Sequence, residues 1–143
     1  MQAGQQETRI RVRYAETDQM GVVYHANYLV WMEVARVEFC GALGFRYRDM
    51  EREDGVFLVV VEAHCRYLRP ARFDDEVLVR ATVKSANTRL VEFGYKMYRT
   101  ENQELLVTGW TRHLCVGKDM RATRLPERYW EMFGIQSSPT RAL

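Results

Sequence analysis

Cysteine, proline and histidine are all scarce in this chain, three of each in 143 residues, and each scarcity removes a class of protein. Cys40, Cys65 and Cys115 are odd in number, far apart and never in a Cys-x-x-Cys pair, so neither a disulfide framework nor a zinc knuckle is expected. His25, His64 and His113 stand alone with no His-x-x-x-His spacing, which leaves no expected metal site. No apolar run approaches the roughly 20 residues that a membrane-spanning helix needs. The N-terminal MQAGQQETR lacks the basic start and apolar centre of a signal peptide, so the expected address is the cytoplasm. With a net charge of only +2 and arginines scattered rather than gathered, nucleic acid is not an expected partner.

What is present fits one globular domain over residues 1–143: 47% hydrophobic and 28% charged residues, with no repeat, linker or low-complexity segment. Its ordered part is expected over about residues 8–133, with 1–7 and 135–143 flexible. Ile10, Val12 and Tyr14 alternate with Arg9, Arg11 and Arg13 as a first strand. Ala15 to Gly21 has loop chemistry. From Val23 to Leu43 the spacing of Tyr28, Met32, Ala35, Phe39 and Leu43 predicts a helix, apolar around most of its circumference and ended by Gly41 and Gly44. Glu33 and Arg36 are spaced to pair across one of its turns. Arg46 to Gly55 is charged and reads as a solvated loop or a short irregular turn. Four strand-like runs follow, Phe57 to Leu68, Glu76 to Lys84, Leu90 to Arg99 and Leu105 to Val116, and Pro126 opens a short C-terminal helix. The order predicts an α+β fold, a five-stranded antiparallel sheet wrapped around one long helix, with greasy surfaces that ask for a second subunit.

Between Arg11 and Tyr28 the sequence RVRYAETDQMGVVYHANY sets a carboxylate in a turn just ahead of the helix. Backbone N–H groups left unpaired at a helix start, together with the positive end of its dipole, favour a developing oxyanion. On the residues alone Asp18 can equally be a turn or capping aspartate, His25 a first-turn histidine, Tyr14 a core-closing tyrosine and Tyr28 a wall residue. Glu16 reads as solvated. Gly21 supplies backbone freedom.

Arg11-Val12, Tyr14, Thr17-Asp18, Gly21-Val22-Val23-Tyr24-His25, Tyr28 and Glu33-x-x-Arg36 at their fixed spacing resemble the 4-hydroxybenzoyl-CoA thioesterase family of hot-dog-fold proteins, and within it the YbgC-type acyl-CoA thioesterases. The resemblance implies hydrolysis of an acyl-CoA thioester without a metal or cofactor, CoA being part of the substrate. It implies Asp18 as the essential carboxylate, His25 and Tyr14 completing the catalytic set, and an oxyanion-binding N–H at the helix start. Gly21, Val23, Tyr24 and Tyr28 are the expected substrate wall, with Arg69, Arg72 and Arg89 the candidates for CoA phosphates against the ordinary reading of solvated arginine. A homodimer extending to a homotetramer is expected, and an acyl carrier protein is an alternative carrier of the acyl group. Met20 is bulky where relatives often carry a small residue, which leaves the acyl preference open. The competing functions are a non-catalytic acyl-CoA binder of the same fold and a hot-dog dehydratase.

Overall fold

The computed structural model describes residues 4–136; the expected flexible ends at 1–3 and 137–143 lie outside them. The chain forms β1 (Gln5–Arg11), α1 (Asn27–Leu43), β2 (Phe57–Tyr67), β3 (Glu76–Ala86), β4 (Leu90–Arg99) and β5 (Glu104–Val116). Every strand pairs antiparallel in one sheet of order β1-β3-β4-β5-β2, so β1 and β2 are its edges. The sheet curls around α1 as a hot-dog fold. No helix among the described residues is long and apolar enough to cross a membrane.

Four stretches differ from the sequence reading. β1 begins at Gln5, where Gln5, Gln6 and Glu7 already pair with Thr82, Ala81 and Arg80. It stops at Arg11, because Tyr14–Glu16 turns as a 3₁₀ helix. The long helix starts at Asn27, not Val23: the Val23 N–H is taken by Ala71 O at 2.9 Å and Val23 bridges Thr17, so the apolar run Val22-Val23-Tyr24 belongs to a loop. Arg46 to Gly55 is helical rather than a solvated loop, with turns at Tyr47–Asp49 and Met50–Asp54 that bury Met50 completely. The C-terminal helix is a pair of 3₁₀ turns, Glu127–Tyr129 and Glu131–Phe133, which drive Tyr129 and Phe133 against Phe45.

Trp31, Met32, Ala35 and Phe39 bury one side of α1 against the concave face of the sheet, where Val77, Val79, Phe93, Met97 and Val107 wait. Gly109 lets the helix approach: a Cβ there would come within 2.6 Å of the Met32 methyl and collide with the backbone of β2. The other side of α1 is not covered. Leu29, Val30, Val34 and Val37 stay exposed beside Val60 and Val61, where a register shift between Val60 and Glu62 breaks the alternation of β2.

The expected Glu33–Arg36 pair does not form; Arg36 Nη1 reaches instead to the Tyr95 hydroxyl at 3.3 Å. From there Tyr95 Oη meets Thr111 Oγ1 at 2.7 Å, Thr111 meets His113 Nε2 at 2.8 Å, and His113 Nδ1 meets Leu58 O at 3.3 Å. A guanidinium only donates and a carbonyl only accepts, so the chain has one direction: Arg36 to Tyr95 to Thr111 to the unprotonated Nε2 of a neutral His113, whose Nδ1–H donates to Leu58.

Burial, reinforced by the nearby Arg36 charge, pulls the His113 imidazole from its ordinary 6.5 down to about 4. The unfolded chain therefore takes up this proton below about 6.5 while the folded protein resists until about 4, so the contribution is intact above the first value and lost as pH falls towards the second. The shift corresponds to roughly 3 kcal/mol at about 1.4 kcal/mol per pH unit. Urea unfolding between these limits is expected to show stability falling with acid in the wild type and a flatter profile in His113→Gln; parallel profiles would contradict this account of the imidazole.

Candidate active site

The loop ahead of α1 is built by backbone bonds before any chemistry enters. Asp18 N–H donates to Val22 O and Gly21 N–H to Asp18 O, both at 2.9 Å, closing a tight turn in which Gly21 adopts a φ of +79°. The Thr17 hydroxyl donates to Tyr14 O at 2.7 Å. Asp18 Oδ1 accepts the Met20 N–H at 2.9 Å, an Asx turn. That bond occupies one carboxylate oxygen and leaves Oδ2 without a protein partner among the described residues.

Glu16 anchors this loop to the helix and is the clearest departure from the sequence reading. It is 6% exposed rather than solvated. Its carboxylate accepts the Arg13 N–H at 2.8 Å, the Arg13 guanidinium at 3.3 Å and the Trp31 indole N–H at 2.9 Å, while its carbonyl accepts from the Tyr24 N–H and the Asn27 side chain. Burial works against its charge, but the bonds from Arg13 and Trp31 outweigh it and hold the carboxyl below its ordinary value.

A cleft of about 270 Å³ opens between this loop, the helix start and the end of β2. Asp18, Met20 and Val23 line it from the loop, His25 and Tyr28 from the helix entry, and Tyr67, Arg69 and Pro70 from the β2 side. Ala26 begins α1 without any side-chain cap; of the first helix N–H groups, that of Asn27 donates to Tyr24 O at 2.9 Å and that of Leu29 to Ala26 O at 3.1 Å, while that of Tyr28 makes no such bond outside the helix among the described residues. The His25 ring lies 4.5 Å from Tyr24 and 6.2 Å from Tyr67 between centroids, and its carbonyl accepts the Tyr67 hydroxyl at 3.0 Å. Burial, with Cys65 beside it, pushes the Tyr67 phenol up to about 12, so it works as a neutral donor. Tyr28 is buried and its hydroxyl accepts the Ala71 N–H at 3.1 Å, tying the helix entry to the loop after β2. Burial raises its phenol as well.

Of the residues singled out in the sequence, the cleft gathers Asp18, His25, Val23, Tyr28 and Arg69, with Gly21 in the turn beside it and Tyr24 packed at a tilt against His25. It does not gather Tyr14, which is 77% exposed and packs edge-on against Phe73 at 5.4 Å. Arg72 is exposed in the same loop as Phe73, where its N–H caps onto Asp75. Arg89 lies at the far end of the sheet: β3 leaves the cleft side at Glu76 and runs to Ala86 before the turn that carries it. Arg69 is largely exposed and bonded to Leu68 O, with Glu104 3.6 Å away. Sequence reasoning missed Tyr67 and the Pro70-Ala71 segment, whose place depends on the pairing of two loops about fifty residues apart in the chain. Among the described residues no group of three His, Cys, Asp or Glu side chains is arranged to hold a metal ion.

Comparison with known proteins bears on this geometry. The family model described as thioesterase superfamily matches residues 20–106, beginning two residues after Asp18. The chain is 44% identical over 110 residues to a putative acyl-CoA thioesterase, YneP, of Bacillus subtilis, covering 77% of this chain and 78% of that protein. It is 32% identical over 107 residues to the acyl-CoA thioesterase YbgC of Haemophilus influenzae, covering 75% and 77%. Among solved structures, hypothetical protein TT1821 from Thermus thermophilus superposes with a TM-score of 0.84 at 44% identity, over 90% of this chain and 96% of that one. The 4-hydroxybenzoyl CoA thioesterase of Pseudomonas sp. strain CBS-3 shares the fold at a TM-score of 0.83 and 20% identity, over 91% and 99%.

Replacing Glu16 by Ala leaves the buried Trp31 indole N–H and the Arg13 backbone N–H without their acceptor, a loss on the order of 2–3 kcal/mol. Chemical denaturation of Glu16→Ala should show it, whereas Glu16→Gln, which still offers an acceptor, should lose distinctly less; equal losses would remove the hydrogen bonds from the explanation.

Proposed function

The chain belongs to the thioesterase superfamily, and from that premise we propose that it hydrolyses acyl-CoA thioesters to the free acid and CoA, with Asp18 as the essential carboxylate. The observation that carries the reading is a carboxylate with one oxygen fixed by the Met20 N–H and the other uncommitted, in a cleft that also holds an uncapped helix start. A thioester carbonyl is a strong electrophile, so modest assistance suffices. Water adds to the carbonyl carbon as Asp18 takes its proton, or the carboxylate itself adds first; the carbonyl oxygen gathers negative charge against the N–H groups at the start of α1. The tetrahedral adduct then collapses by breaking the C–S bond. On the first route the free acid forms and the CoA sulfur leaves with the proton held by Asp18. On the second an Asp18–acyl anhydride and CoA thiolate form, after which water cleaves the anhydride to give the acid, the Asp18 carboxylate and a proton for the thiolate. His25 and Tyr67 border the acyl group, and Arg69 at the rim is the arginine best sited for a phosphate of CoA.

The exposed stripe Leu29, Val30, Val34 and Val37 with Val60 and Val61 supports self-association along the α1 and β2 edge, the homodimer of this reading. Val61→Arg is expected to shift the sedimenting species towards the monomer, and an unchanged profile would send the interface elsewhere.

Asp18→Asn is the decisive variant, because an Asn Oδ1 still accepts the Met20 N–H and the turn survives while the charge goes. Free-thiol release from a panel of straight-chain and aromatic acyl-CoAs is expected to fall by about 100-fold or more, with the melting temperature little changed. Equal turnover by both proteins would remove Asp18 from the chemistry, and tight binding without hydrolysis across the panel would favour a non-catalytic acyl-CoA binder.

A further inference from the structure

A second cavity, about 330 Å³, lies between the C-terminal half of α1 and the sheet, away from the Asp18 cleft. It sits at the small end of the roughly 300–1,000 Å³ range of ligand sites. Its walls are mainly apolar, with Val37 and Cys40 from the helix, Leu58 and Val60 from β2, and Phe93 from β4. Three polar groups face it besides Glu33: Tyr47, His113 and Arg36.

Two of those three are already satisfied. The Tyr47 hydroxyl accepts the Leu58 N–H at 2.9 Å and donates to Leu58 O at 3.3 Å. Both ring nitrogens of His113 are engaged, and the ring is neutral. Arg36 is different. Of the half-buried arginines among the described residues, Arg80 pairs with Glu7, Arg99 with Asp75 and Glu104, and Arg112 with Glu62 and Glu92. Arg36 alone pairs with no carboxylate; its one hydrogen bond goes to the neutral Tyr95 hydroxyl. Glu33, one turn earlier on the same helix, is exposed and not within 4.0 Å. A guanidinium carries five N–H donors in a planar fork suited to a carboxylate. Half-buried against apolar walls with a single neutral partner, it keeps donors that an anion entering the cavity could accept from.

We propose that this cavity binds a small organic carboxylate, its anionic end paired with the Arg36 guanidinium and its apolar body resting on Val37, Leu58 and Phe93. The position of Arg36 along α1 puts the cavity about 14 Å from the helix start at 1.5 Å per residue, too far for a short acyl group held at Asp18. The carboxylate therefore comes from one of two sources, a free acid in solution or the remote end of a long dicarboxylic acyl thioester. Only the second source rests on the hydrolytic reading.

Benzoate is the probe for the site itself, with benzamide as its neutral isostere, both titrated into the full-length protein by calorimetry and thermal shift. Saturable benzoate binding is expected, absent or much weaker for benzamide, weakened about tenfold or more in Arg36→Gln and retained in Asp18→Asn. Because Arg36→Gln loosens the chain to His113, Leu58→Phe serves as the second variant. Leu58 lines the chamber, is buried and lies off the exposed stripe, so the larger side chain fills the chamber with every charge in place and should also abolish binding. No benzoate binding, equal binding of benzamide, or binding indifferent to both variants would overturn the proposal. Turnover then separates the sources. A preference for dodecanedioyl-CoA over dodecanoyl-CoA that vanishes in Arg36→Gln identifies the acyl terminus, while benzoate binding without such a preference identifies a free acid. Failure of hydrolysis altogether leaves the benzoate titration intact, so the two readings fall separately.

Discussion

The hydrogen bond from the Trp31 indole to the Glu16 carboxylate is the constraint on which the geometry of the Asp18 cleft depends. Trp31 is fixed by the core, since it lies on the face of α1 pressed into the sheet. Glu16 is fixed to Trp31, and through its carbonyl it also holds Tyr24 and Asn27. The seven-residue stretch between Glu16 and Tyr24 is therefore closed at both ends onto one carboxyl-bearing residue, with Asp18 inside it. A loop whose ends are joined in this way loses most of the conformational freedom that would otherwise blur the position of a catalytic group. The ordering is supplied by core packing, which the reaction does not disturb.

Two buried polar systems divide the molecule. Around Glu16 a negative charge is fully met by donors and its carboxyl stays ionised well below neutral pH. Around Arg36 a positive charge is met only by a one-way chain of neutral groups ending on Leu58 O. The first arrangement holds a loop rigid; the second tethers the middle of α1 to β4 and β5 and leaves donors unspent. Their difference explains why the helix can be exposed along Leu29, Val30 and Val34 without loosening from the sheet. It is held by Trp31 near one end and by the Arg36 chain further along, as well as by the apolar face between them.

Periodicity made the sheet readable, since Val77, Val79 and Ala81 or Val91, Phe93 and Tyr95 alternate with polar neighbours and fall inward as a pleat requires. It failed where local sequence and tertiary pairing disagreed. Val22-Val23-Tyr24 reads as the start of a greasy helix, yet Val23 is drawn off by Ala71, a partner that no window of neighbouring residues contains. Glu16 reads as solvated on an extended backbone, but the 3₁₀ turn at Tyr14–Glu16 rotates it inward and turns Tyr14 outward against Phe73. Asp18, His25 and Tyr28 stand out together because the fixed spacing that resembles the thioesterase family lies within one short stretch of sequence, although each residue alone reads equally well as turn, cap or wall. The roles of Tyr67 and Arg36 were not legible, because the first enters the cleft through strand pairing and the second acquires its meaning only from what surrounds it in space.

Two carboxylates separated by one residue illustrate how that local frame divides labour. Every acceptor position of Glu16 facing the protein is taken, so any proton transfer through it would break the bonds that hold the cleft open. Asp18 makes one bond and stands half-buried with an oxygen to spare. The uncapped start of α1 follows the same logic. A Ser or Asp at position 26 would stabilise the helix by about 1 kcal/mol. Ala26 offers no such cap; the Asn27 N–H goes to Tyr24 O at 2.9 Å and the Leu29 N–H to Ala26 O at 3.1 Å, and the helix tolerates the missing cap because Trp31, Met32, Ala35 and Phe39 already secure it by burial. Stability at this end of the molecule comes from the core and from Glu16, which leaves Asp18 with one carboxylate oxygen uncommitted at the cleft.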